Sequence, residues 1–261
     1  MKLEVIHESA KAHTRPTPLL FVHGKWKGAW CWQEYFLPYF AEHGYECAAL
    51  SLRGHGASEG HERIRWNTIA DYVADVEQVA REFKTPPVII GHSMGGFITQ
   101  KYLETNHAPA GVLVASLPFY GILPTTLVEF RKHPLVSLKT LFTGSMLHAV
   151  ATPALTREHL YGDDMSEEKV VEYFKRLTEE SFRAYLDELV LNLVQPKRVK
   201  SPMLVIGATN DTSISIKGIN DTARAYGTKA EFFATAHDMM LESKWQQVAD
   251  KILSWLKEKQ L

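Results

Sequence analysis

Residues 87–97 read PVIIGHSMGGF. A run of β-branched apolar residues passes straight into Gly-His-Ser-Met-Gly-Gly, and a helical pattern begins at once. A serine in G-x-S-x-G between a buried strand and a helix has the form of a nucleophile elbow. The nucleophile must project above a sheet edge, so the turn is tight and its residue sits in strained backbone geometry. Gly91 and Gly95 lack Cβ atoms, which lets strand and helix approach each other. The helix start also aims free N–H groups and a positive dipole end at developing negative charge.

A serine hydroxyl needs a base to take its proton at neutral pH. The expected order is nucleophile, acid, histidine, with the histidine on a late loop. His237 follows the strand-like AEFF through a short loop, whereas His7, His43, His61, His107 and His133 read as surface residues. Asp211 lies just after MLVIGATN, at a strand end where open α/β sheets carry ligand-facing loops. Asp238 is too close in sequence to His237 to orient its ring, and Asp221 falls within a helix pattern. Ser93, Asp211 and His237 are therefore the candidate catalytic residues. The oxyanion donors expected are the backbone N–H groups of Met94 and of Lys25, in the loop HGKWKGAW after the strand LLFV. The Lys25 side chain reads as solvated.

Outward from this segment, apolar runs recur at 3–6, 19–22, 45–50, 87–91, 111–115, 203–207 and 230–233. The central ones are apolar throughout, as in strands buried on both faces of a parallel sheet. Helix-period segments lie between them. Residues 68–83 place Ile69, Tyr72, Val73, Val76, Val79, Ala80 and Phe83 on one stripe, with Asp71, Asp75, Glu77 and Arg81 opposite. Helices are also expected over 93–104, 216–226 and 244–257. Alternating strands and helices imply an α/β fold with a mostly parallel sheet flanked by helices. Residues 117–196 carry helical patterns but no clean strand, and Pro118, Pro124, Pro134 and Pro153 divide the early part. The expected organisation is a core of residues 1–116 and 197–261 with a helical cap at 117–196.

The chain has 261 residues, 45% of them hydrophobic, and a net charge near −1. This balance does not suggest nucleic-acid binding or a polybasic membrane surface. The N-terminal stretch lacks signal-peptide features and no apolar run suffices to span a bilayer, so a cytoplasmic protein without stable membrane insertion is expected. Cys31 and Cys47 read as buried, reduced thiols.

The ordered motifs HG (23–24), RGHGASEG (53–60), GHSMGG (91–96), ND (210–211) and AHDMMLE (236–242) identify a resemblance to the α/β-hydrolase superfamily. Within it, VHGKWKGAWCW resembles plant methylesterases and hydroxynitrile lyases, and RGHGASEG resembles monoacylglycerol lipases and lysophospholipases. Asp238 and Met239 stand where hydroxynitrile lyases carry a lysine, and Ser93 replaces the aspartate nucleophile of dehalogenases and epoxide hydrolases. The resemblance implies acyl transfer to Ser93 and hydrolysis of a small lipophilic ester, lactone or monoacylglycerol, with no metal and no cofactor. An acyltransferase, a perhydrolase and a slow ligand-binding relative would share these residues.

Trp26, Phe119 and Phe142 are the expected substrate-binding residues, alongside Trp30, Trp32, Tyr120, Phe130, Leu141 and Met146. The same side chains could instead pack the cap onto the core. The oligomeric state, a homodimer included, is open from sequence.

Overall fold

The computed structural model describes residues 1–11 and 13–261. Its seven strands are β1 (Val5–Glu8), β2 (Leu19–Val22), β3 (Cys47–Leu50), β4 (Val88–His92), β5 (Gly111–Val114), β6 (Met203–Ala208) and β7 (Ala230–Phe233). They form one sheet in the order β1-β3-β2-β4-β5-β6-β7, with only β1 antiparallel to its neighbour. All seven expected apolar runs become strands. Those from β2 to β6 are buried along their whole length, while the edge strand β7 is only half-buried.

Because side chains alternate across a strand, the sheet divides the apolar interior in two. Leu19 and Phe21 of β2 face a cluster that includes Trp32, Phe36 and Phe40 from α1 (Trp30–Gln33) and α2 (Phe36–Glu42). Leu20 and Val22 face the other side, against α3 (Ile69–Ala80) and α4 (Met94–Leu103). Thr68 and Asp71 close a reciprocal capping box at the start of α3, satisfying two helix-end donors. One expectation for α3 fails. Asp75 lies on the buried side, where its carboxylate accepts from the Arg53 backbone N–H and guanidinium. A bidentate partner lets a carboxylate occupy a position that periodicity assigns to solvent.

Between β5 and β6 the described residues contain helices and no strand. These are α5 (Leu123–Lys132), α6 (Pro134–Thr143), α7 (Pro153–Leu160), α8 (Glu167–Phe174) and α9 (Phe182–Leu186), which runs into a π-helical turn at Asp187–Leu191. Pro134 and Pro153 each start a helix, where a missing N–H costs no intrahelical bond. After β6 the chain continues through α10 (Ile216–Ala225) and α11 (Trp245–Glu258). Helix α11 covers the Trp32 side of the sheet with Val248, Ile252 and Leu256. Cys31 and Cys47 are both buried and free. No helix among the described residues is long and apolar enough to cross a membrane.

Candidate active site

Ser93 occupies the corner between β4 and α4 with φ +53° and ψ −117°, in the left-handed half of backbone space that a side chain rarely enters. Close packing on both sides holds it there. A Cβ on Gly95 would come within 2.3 Å of the Val22 carbonyl oxygen, and one on Gly91 within 2.2 Å of that of Gly95. Gly24 has the same role from the neighbouring strand end. A Cβ there would meet the Ser93 Cβ at 2.9 Å, so glycine brings the loop after β2 directly against the serine.

His237 stands on the loop between β7 and α11, and Asp211 on the loop after β6. The structure brings them together with Ser93. His237 Nε2 lies 2.9 Å from Ser93 Oγ and its Nδ1 lies 2.8 Å from Asp211 Oδ2. The other Asp211 oxygen accepts from the backbone N–H groups of Ser213 and Ile214, each at 2.8 Å. The carboxylate is thereby fixed by its own loop before it meets the imidazole. The two rejected acids lie elsewhere: Asp221 pairs with Lys217 and Arg224 on α10, and Asp238 turns to Lys27 Nζ at 3.1 Å. His92 Nε2 donates to the His237 carbonyl at 3.0 Å, and burial holds the His92 ring well below the ordinary histidine range. A neutral, fixed ring therefore props the loop of His237 from below.

The backbone N–H groups of Lys25 and Met94 make no hydrogen bond to a described residue. Met94 opens α4, where the first N–H groups lack intrahelical partners. The Lys25 side chain departs from expectation, because it is buried against Glu188 of the π-helical turn with Nζ 2.5 Å from Oε2. The Tyr185 ring also faces this ammonium, at 5.3 Å. Burial raises the Glu188 carboxyl to about 7, with Lys25 pulling in the opposite direction. Lys27 is paired as deeply with Asp238, and Trp26 between them has φ +64°. The Trp26 indole donates to the Met146 carbonyl at 3.2 Å, and its own carbonyl accepts from Thr178 at 2.9 Å. Each residue of Lys-Trp-Lys thus fastens the loop to a different part of the chain.

Below this loop, His55 Nε2 lies 3.1 Å from the buried Glu180 carboxylate, which also accepts from the Tyr72 hydroxyl at 2.9 Å. Burial opposes the charge on Glu180, but His55 and these donors bring it to about 2. The RGHG segment therefore serves to anchor the insertion to the sheet.

The cavity above Ser93 and His237 is walled largely by the insertion, including Leu117, Ile122, Phe130, Leu141 and Met146. Trp26 lines it as expected, but Phe119 and Phe142 do not. Phe119 is half-buried against the apolar cluster on the Leu20 side of the sheet, and Phe142 is 86% exposed on α6. Tyr120, Trp30 and Trp32 are also absent from the wall. The Trp30 ring lies tilted against that of Tyr173, their centroids 5.8 Å apart, and Trp32 belongs to the core. Sequence reading missed Tyr185 and His159, which line the cavity, and it placed His133 on the surface although that ring also reaches the wall. Nothing local signals these positions, since they depend on how each helix of the insertion is rotated.

Among solved structures, Rv0554 from Mycobacterium tuberculosis superposes with a TM-score of 0.78 at 18% identity, covering 98% of this chain and 93% of that one. The monoacylglycerol lipase of Paleococcus ferrophilus gives 0.74 at 18% identity over 99% and 100% of the two chains. The enol-lactonase of Burkholderia xenovorans LB400 gives 0.72 at 14% identity over 98% and 97%. At such identities the likeness concerns the fold. No curated protein matches the sequence significantly. The model of the alpha/beta hydrolase family matches residues 19–251, nearly the whole sheet and insertion, and the chain belongs to that family.

Proposed function

We propose that this protein is a serine hydrolase that cleaves carboxylic esters through an acyl-enzyme on Ser93. The observation that carries the reading is His237, hydrogen-bonded at 2.9 Å to Ser93 Oγ on one side and at 2.8 Å to Asp211 on the other. In this arrangement His237 takes the hydroxyl proton as Ser93 Oγ attacks the ester carbonyl carbon. The carbonyl oxygen becomes an oxyanion facing the N–H groups of Lys25 and Met94, each donor lowering the barrier by about 3 kcal/mol. The tetrahedral adduct collapses, the ester C–O bond breaks and His237 protonates the departing alkoxide. Water then attacks the acyl-enzyme with His237 again as base, releasing the acid and restoring Ser93. Asp211 holds the imidazole in the required tautomer and stabilises its charged form. Nothing in this sequence of steps requires a metal or cofactor.

The insertion would act as a cap, and its apolar wall supports a small lipophilic ester, lactone or monoacylglycerol as substrate. The test is turnover of p-nitrophenyl esters from acetate to palmitate by wild type and Ser93→Ala. Wild type should turn over, and the variant should lose about 10⁶-fold in kcat with its melting temperature retained. An inert wild type that also resists a fluorophosphonate probe would remove the activated serine from consideration.

A further inference from the structure

Besides Ser93, Asp211 and His237, the insertion assembles a second group of chemistry-bearing side chains that the proposed hydrolysis does not use. Glu129 and His133 lie one turn apart around the end of α5, and Glu158 and His159 end α7. His133 Nε2 lies 2.9 Å from Glu158 Oε1, and His159 Nε2 lies 3.7 Å from Glu129 Oε2. One ligand atom from each of Glu129, His133 and His159 falls within 4.8 Å of the others. A tetrahedral zinc site with bonds of about 2.0–2.1 Å holds its donors about 3.3 Å apart. The gap to be closed is therefore about 1 Å or somewhat more, within reach of side-chain rotation.

Glu129, His133 and His159 bring a carboxylate and two imidazole rings to a cavity wall that is otherwise mostly apolar. Their mixed nitrogen and oxygen donors suit zinc, cobalt or nickel better than calcium or magnesium, which favour oxygen alone. The location gives an ion something to do. Helix α5 buries none of its residues and α6 buries only Thr140, so packing holds this hairpin weakly. Glu129, His133 and His159 also line the cavity that contains Ser93. We propose that Glu129, His133 and His159 bind one divalent ion of the zinc class, with Glu158 held against His133, and that the ion staples α5 to α7 across the pocket wall. Among the described residues the other three-residue group of this kind, His92, His237 and Asp238, is already engaged with a carbonyl, with Ser93 and Asp211, and with Lys27.

The test is a Co²⁺ titration of the full chain after chelator treatment, followed by visible ligand-field absorption and by thermal melting. The expected result is one equivalent bound with tetrahedral absorption, displacement by Zn²⁺ and a raised melting temperature. His133→Gln and His159→Gln should each weaken binding at least about 10-fold, while Ser93→Ala and His237→Ala should not. The half-buried His133 provides a variant that should fold even if His159→Gln does not. Saturation absent below about 1 mM would overturn the site. So would binding that survives both histidine substitutions, or that is lost in His237→Ala instead. The readout involves no ester cleavage, so an inert enzyme that still binds the ion would refute only the hydrolase reading.

Discussion

At the end of β4, Gly91, Gly95 and Gly96 stand closer to backbone or side-chain neighbours than any Cβ could. On the α5–α6 hairpin, Leu135 is 80% exposed and Phe142 is 86% exposed. The first region positions Ser93, and the second walls the pocket above it. A close-packed corner can hold a strained residue because its neighbours have nowhere to move. A hairpin attached by few buried side chains can change shape or sequence without disturbing that corner. Reaction geometry and pocket shape are therefore stored in parts of the molecule with very different tolerance.

The comparison is sharpest at Gly95. Gly95→Ala should destabilise the protein by more than about 4 kcal/mol, measured by urea unfolding, because the new methyl would press on the Val22 and His23 carbonyls. A cost below about 1 kcal/mol would mean that the corner is softer than described.

The Lys25–Glu188 pair joins the two regions, and Lys25→Met should separate them. Leaving a buried carboxylate unpaired costs about 3–5 kcal/mol. Burial raises Glu188 from 4.5 to about 7, so the folded protein holds this proton more tightly than the unfolded chain. Its contribution to stability is complete below about 4.5 and is lost as pH rises through about 7. The Lys25→Met defect should therefore be small near pH 5, where a protonated Glu188 needs no cation, and should grow to about 3 kcal/mol by about pH 8. A defect that shrinks with rising pH would assign the pair a different role.

The smallest effects belong to the hairpin. Phe130→Ala opens the pocket wall and should shift the acyl-length preference, changing kcat/KM by about 10–100-fold for the affected esters. Phe142→Ala should leave stability within about 0.5 kcal/mol and the preference unaltered. Similar effects of the two would show that the exposed side of α6 takes part in substrate selection.

The sheet was legible because its central strands are short apolar runs buried on both faces, a pattern written within each segment. Ser93, Asp211 and His237 were legible for a related reason. Each follows a strand on the side where the parallel strands end, so chain order alone restricts where they can meet. Asp75 misled because periodicity reports a helix face but not the Arg53 fork that waits there. Phe119, Phe142 and the Lys25 side chain misled in the same way.

The sequence by itself determined the family, the order of elements and the residues at three strand ends, since these follow from local pattern and motif spacing. Only the tertiary structure decided which faces of α5 to α9 meet the pocket. It alone joined Lys25 to Glu188 and gathered Glu129, His133 and His159, with Glu158 beside His133. Those helices pack through contacts distant in sequence, and rotation by about half a turn exchanges a wall residue for a solvent residue without changing the pattern that makes the helix.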